Sequence, residues 1–198
     1  MTGGIGTGNT GRTDGDPAPA SGFLAVVATV DDRVDRLFEP LRGRGPVDAA
    51  AKVITGLGDH GWLWTGIAVW RGRRSGPARR QAIRALGVAG VSSTLINAGI
   101  KQVVDRDRPD TTDLRISNVG VPVRAPKTSS FPSGHTLAAF CSAAVLSRPG
   151  DRKGNALLYT AAGLIGVSRI HLGHHHASDV AGGVVIGTAL GLVVRRFR

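Results

Sequence analysis

A single cysteine, Cys141, is all that the 198 residues contain. No internal disulfide can form and no thiolate-rich zinc site can be assembled, so packing must hold the fold together. Aromatic side chains are scarce at 5%, and acidic ones are few: 14 Asp and Glu against 25 Lys and Arg leave a formal charge of +11 and a pI near 11.4. Basicity of that size suits nucleic acid, an anionic membrane or a phosphorylated substrate. No nucleic-acid motif accompanies it, which removes nucleic acid as a partner. Long hydrophobic runs are also missing, and only residues 82–100 approach the ~20 needed to span hydrocarbon. What is plentiful is small and apolar. Hydrophobic residues make up 41%, Gly numbers 29 and charged residues reach only 20%, a balance too apolar for a wholly disordered chain and a length that suits one domain.

Residues 1–22 are Gly, Thr, Asp and Pro with Ile5 almost the only large apolar side chain, and they read as a flexible tail. They hold no apolar segment of the kind a cleavable secretory signal needs, which argues against export as a soluble protein. From Phe23 to Leu41, Val27, Val30, Val34, Leu37 and Leu41 recur at helical spacing between Asp and Arg residues. This predicts an amphipathic helix at a membrane surface. Beyond it, six apolar blocks at 47–58, 61–70, 82–100, 136–147, 155–167 and 180–194 predict an all-α, six-helix membrane bundle within a single unit, 23–198. Gly183, Gly187 and Gly191 form a close-approach stripe on the last helix, and Trp62, Trp64 and Trp70 near block ends read as interface anchors. If all six blocks cross in turn, the joints 31–47, 71–81, 148–153 and 195–198 hold 15 Lys and Arg against 7 on the other side. That bias predicts both termini in the cytoplasm and the remaining joints outside.

Those remaining joints hold the chemistry. Lys101 and Arg108-Pro109 end the third block, Pro132-Ser133-Gly134-His135 precedes the fourth, and Ser168-Arg169, His171, His174-His175-His176 and Asp179 lie between the fifth and sixth. Lys101, Arg108 and Arg169 can neutralise phosphoryl oxygens, Arg with a planar fork matched to them. Ser133 and Gly134 stand where a helix start favours an anion. His175 and Asp179 are four apart, so the carboxylate can orient the imidazole as a nucleophile, while His135 can protonate a leaving oxygen. The other histidines, His171, His174 and His176, read as rim residues. A zinc site there would leave the neighbouring cations unexplained. Asp105, Asp107, Asp110 and Asp113 interleave with Arg106, Arg108 and Arg115 and read as a salt-bridged loop.

The spacing of these residues resembles the type 2 phosphatidic acid phosphatase (PAP2) superfamily and its relatives, the vanadium-dependent haloperoxidases. Its pattern of K-x6-R-P, P-S-G-H and S-R-x5-H-x3-D is matched throughout residues 101–179, with His175 in the nucleophile register. The resemblance implies a phosphatase without metal or other cofactor, in which His175 attacks phosphorus, Asp179 orients it and His135 serves as acid and then base. Lys101, Arg108, Ser133, Gly134 and Arg169 would bind the phosphate. It also implies a lipid phosphate or diphosphate as substrate, such as phosphatidic acid, phosphatidylglycerol phosphate or a polyprenyl (di)phosphate, membrane lipids as surroundings, and a site at the extracytoplasmic face. A vanadate-loaded haloperoxidase and a non-catalytic phospholipid-binding membrane protein are the alternatives.

Overall fold

The computed structural model describes residues 22–73, 76–110, 116–117 and 128–196; the predicted tail and most of the loop 111–127 lie outside it. Seven α-helices follow one another: α1 (Gly22–Phe38), α2 (Gly45–Gly58), α3 (Trp62–Arg71), α4 (Gly76–Val103), α5 (Gly134–Leu146), α6 (Arg152–His171) and α7 (Ala177–Arg196). Among the described residues there is no strand. An amphipathic helix followed by six more matches the predicted order. Most helices overrun the apolar blocks, because apolarity marks depth in the bundle while the backbone ladder continues into polar turns. Thus Pro77 in the first turn of α4 precedes the exposed Arg79, Arg80 and Arg84. At the same end of the bundle the Asp151 side chain accepts the Gly154 N–H at 2.9 Å and caps α6.

Helix α5 is the axis. No charge lies between His135 and Arg148, and nine of its thirteen residues are buried, as expected of a helix enclosed on all sides. Ala139, Ala143 and Leu146 form a core with Trp64 and Ala68 of α3 and Leu158, Ala162 and Ile165 of α6. Trp64 is therefore a core residue, whereas Trp62 and Trp70 are exposed as anchors would be. On the opposite side α7 lies against α5 through its glycine stripe. A Cβ on Gly183 would stand 2.9 Å from the Ser133 carbonyl oxygen, one on Gly191 2.5 Å from that of Cys141, and one on Gly187 would overlap the carbonyl of Leu137. The stripe thus works inside the bundle. Outward, Val88, Val91 and Leu95 of α4 and Val185, Leu192 and Val193 of α7 are exposed. Ala82–Val103 and Ala177–Arg196 have the length and hydropathy to cross a membrane.

The predicted alternation of six spans is corrected by α2 and α3. Asp48 meets His171 at 2.7 Å, Thr55 accepts from Arg169 at 2.8 Å, Gly58 abuts Ile165, and Arg71 pairs with Asp151. The two helices run in tandem down the length of α6 and make one traverse. Arg42 donates to the carbonyls of Ile170 and His171, so the joint 31–47 lies at the same end as 101–110 and 172–176. The nine residues of α1 before Asp31 amount to about 13 Å of helix, well short of a ~30 Å hydrocarbon core. Recounted on this connectivity, each end carries 11 Lys and Arg, so the charge bias that placed both termini together is gone. The start of α2 and the end of α7 lie at opposite ends.

Replacing Gly187 by Ala should cost on the order of 1–3 kcal/mol through overpacking, lowering Tm in detergent by several degrees, whereas Gly163→Ala, with open space around its Cβ position, should leave it near wild type. Equal melting of the two variants would refute the backbone contact between α5 and α7.

Candidate active site

The predicted site residues gather at one end of the bundle from four places: the last turn of α4, the chain after it, the start of α5, and the junction of α6 with α7. Backbone geometry joins them first. The Ser133 N–H donates to the Asp179 carbonyl at 3.0 Å, fixing the second motif to the third. The Ser130 N–H donates to the Arg106 carbonyl at 2.8 Å and the Ser129 hydroxyl to that of Val104 at 2.6 Å, tying the first motif to the stretch before the second.

His175 lies in the short turn ahead of α7 and is buried. Its Nε2 is 3.3 Å from Nη1 of Arg108, and its Nδ1 is 3.6 Å from Oδ2 of Asp179. Burial, reinforced by the charges of Arg169 and Arg108 and opposed by Asp179, pushes its pKa down to about 4. The ring is neutral at pH 7, with its Nε2 side turned to a guanidinium. Asp179 is fully buried in the first turn of α7; Oδ2 accepts the His176 N–H at 2.8 Å and Oδ1 accepts from Arg106 at 2.6 Å. The carboxylate therefore holds its place without a tight bond to the imidazole.

Arg108 donates to the carbonyls of His174 at 2.6 Å and Thr128 at 3.0 Å, and burial holds its pKa below the ordinary arginine value. Lys101 donates to the Ser129 carbonyl at 2.8 Å. Arg169, on the last turn of α6, is 2% exposed with Nη1 on Thr55, and its Nε has no hydrogen-bond partner. A buried guanidinium donor is thus left unsatisfied, which suits an anion. Ser133 is buried, and because its N–H already serves Asp179, what it can offer a phosphate is its hydroxyl, which accepts from Thr136 at 3.0 Å. Gly134 opens α5, where the amide has no intrahelical acceptor.

Three features were not read from sequence. His135 contacts Asp59 through Nε2 at 2.6 Å, across 76 positions. Arg106 reaches out of its loop: it spans Asp179 at 2.6 Å and the buried Asp31 of α1 at 2.7 Å, and Asp31 also accepts from Ser178, while Asp113 and Arg115 of the predicted salt-bridged loop lie outside the described residues. His171 and His174 are buried, not on a rim: His171 pairs with Asp48, and His174 sits beneath the cations with its pKa pushed down to about 3, chiefly by burial. Asp59 and His135 also line a cavity of about 660 Å³ that continues along α4 past Asn97, Ser93, Gly90 and Leu86.

The profile of the PAP2 superfamily matches residues 82–198. A decaprenylphosphoryl-5-phosphoribose phosphatase of Mycolicibacterium smegmatis is 34% identical over 143 residues, 72% of this chain and 74% of that protein. Among solved structures, LpxE of Aquifex aeolicus superposes with a TM-score of 0.66 at 27% identity, covering 83% of this chain and 93% of that one. The transmembrane PAP2-type phosphatidylglycerolphosphate phosphatase of Bacillus subtilis shares the fold, with a TM-score of 0.63 at 24% identity over 88% of this chain and 91% of its own.

Two imidazoles kept neutral by burial have a consequence for stability. Below pH 6.5 the unfolded chain protonates His174 and His175 while the folded chain does not until about pH 3 and 4, so stability falls as pH drops through that window. By pH 5 the loss is about 2 kcal/mol per residue. Thermal unfolding in detergent at pH 7 and pH 5 should show the drop shrinking by about that amount in His174→Gln; an unchanged drop would contradict a buried neutral His174.

Proposed function

The chain belongs to the PAP2 superfamily, and from that premise we propose that it is an integral-membrane phosphatase that hydrolyses a lipid phosphate or diphosphate through a phosphohistidine on His175. The observation that carries the reading is the environment of His175: a neutral ring with Nε2 facing Arg108 and Nδ1 facing the buried Asp179. A phosphoryl group among Lys101, Arg108 and Arg169, with the Ser133 hydroxyl and the Gly134 amide beside it, has its charge neutralised in a site that excludes most water, where such stabilisation is strongest. His175 Nε2 attacks phosphorus, Nδ1–H is steadied by Asp179, and the leaving oxygen takes a proton from His135. In the second half-reaction His135 takes the proton of an attacking water, and the N–P bond breaks to release inorganic phosphate. The cavity along α4 gives the leaving alcohol and its chain a place beside His135. Its polar stretch at Asn97 and Ser93 and the M. smegmatis relative make a polyprenyl-linked sugar phosphate the first substrate to test beside phosphatidic acid and phosphatidylglycerol phosphate.

For topology, the site together with α1 is placed at the extracytoplasmic face and the end of α7 in the cytoplasm. The support is the density of basic residues. At the end opposite the site, 11 Lys and Arg fall within the 21 residues of joints 71–81, 148–153 and 195–198, while the site-end joints spread 11 over 63. The positive end suits the anionic cytoplasmic leaflet.

His175→Ala should abolish inorganic phosphate release from a lipid phosphate in EDTA-treated detergent micelles, with a loss of 10⁴-fold or more, and should remove the acid-labile label that ³²P-substrate leaves on the wild-type chain after rapid quench. Turnover retained in this variant, or label retained on it, would remove the nucleophile from the scheme. In a Cys141→Ser background, Asp32→Cys should react with an impermeant maleimide on intact cells and Lys153→Cys only after lysis; the reverse pattern would turn the protein over in the membrane.

A further inference from the structure

Building on the phosphatase reading, we propose that Asp59 is the positioning residue of the acid–base step: it holds His135 by Nε2–H, so that Nδ1 is the nitrogen exchanging a proton with the leaving oxygen and then with water. Asp59 Oδ1 lies 2.6 Å from His135 Nε2. The contact is built, because the turn carrying Asp59 is framed by two glycines with separate duties. Gly58 lets the end of α2 approach, since a Cβ there would meet Ile165 at 3.1 Å and the His135 ring at 3.5 Å. Gly61 takes φ +71°, a left-handed conformation that turns the chain into α3. Between them Asp59 is delivered to the cavity wall opposite His135.

An imidazole whose one nitrogen is committed to a carboxylate has a defined tautomer, and its protonated form is stabilised at the moment it is needed. In the first step the His175 Nε2 lone pair forms the N–P bond, the P–O bond to the alcohol breaks, and the His135 Nδ1 proton moves to that oxygen, leaving His135 neutral with Nε2–H still on Asp59. In the second, water forms the new P–O bond, its proton passes to His135 Nδ1, and the N–P electrons return to His175. Asp59 holds Nε2–H throughout and exchanges no proton with the substrate or the water. The other charged and titratable groups around this pair are Arg169 of α6, which interacts with Asp59, His174 ahead of α7, which interacts with His135, and behind them His175 and the Arg108 that follows α4. The two guanidiniums disfavour the positive charge that His135 carries as the acid, and Asp59 is the anion placed to offset them.

The test compares wild type, Asp59→Asn and Asp59→Glu on a lipid alkyl phosphate and on p-nitrophenyl phosphate, whose leaving group needs no acid. Asp59→Asn should lower kcat about 10²-fold or more on the alkyl ester and less than tenfold on p-nitrophenyl phosphate, with KM little changed, and should move the basic limb of kcat/KM for the alkyl ester to lower pH. Asp59→Glu should recover part of the loss. Retained p-nitrophenyl phosphate turnover shows that the variant is folded. Equal losses on the two substrates with an unmoved pH limb, or no loss on either, would overturn the proposal while leaving the phosphatase reading intact. A wild-type protein that releases phosphate from neither substrate would overturn that reading instead, and this inference with it.

Discussion

The site depends on one buried carboxylate. Asp179 is fully enclosed, and each of its three oxygens is in use: its carbonyl receives the Ser133 N–H, Oδ2 the His176 N–H and Oδ1 the Arg106 guanidinium, while Oδ2 also faces His175. An ionised group in such a place is tolerable only when paired and hydrogen-bonded. The same bonds that satisfy it fix three segments of chain against one another. Losing the Asp179 side chain would therefore do more than unmoor one imidazole; it would take from Arg106 one of its two carboxylates and leave the His176 N–H without its acceptor. The orientation proposed for His175 and the local folding rest here on the same carboxylate.

That carboxylate can be held so closely because α7 can approach α5. With Gly183, Gly187 and Gly191 against its backbone, α5 presents its first turn, and so Ser133, Gly134 and His135, directly beside the first turn of α7. A membrane interior gives little hydrophobic force between helices, so close packing of small residues carries the association. The large apolar side chains are correspondingly turned outward on α4 and α7, the two helices long and apolar enough to cross a membrane. The composition noted at the start, rich in Gly and poor in aromatics, follows from this division between a small-residue interior and an aliphatic exterior.

Much of this was legible in the sequence, and the limits have physical causes. The residues proposed to handle phosphate could be read because a charge clamp, a nucleophile and its orienter must be particular residue types at particular spacings, so Lys101, Arg108, Arg169 and the His175–Asp179 register stand out. Helix order was legible because small apolar blocks alternate with polar joints. Asp59 and Arg106 were not, since each acts on a partner more than 70 positions away and looks locally like an ordinary turn acid or loop base. The side to which α1 and its joint belong was misread for a related reason: an apolar block of ten or twelve residues says nothing about whether it makes a whole traverse or, like α2 and α3, half of one. His171 and His174 looked like a surface cluster because burial of a polar side chain is decided by distant partners such as Asp48.

The two histidine–carboxylate pairs differ in a way that matches the work assigned to each. In the His175–Asp179 pair the side chains are 2% and 0% exposed, and in the His135–Asp59 pair 25% and 46%. A nucleophile gains from a dry setting, which keeps it unprotonated beside cations and strips away water that would blunt its attack. An acid that must become a base within one turnover has the opposite need, for it has to meet first the leaving alcohol and then a water molecule, and return to its protonated form. Sealing both pairs would block the second half-reaction, and opening both would protonate or solvate the nucleophile. The fold resolves this by placing one carboxylate inside the first turn of α7, beneath Arg106, and the other on a glycine-framed turn at the edge of a cavity.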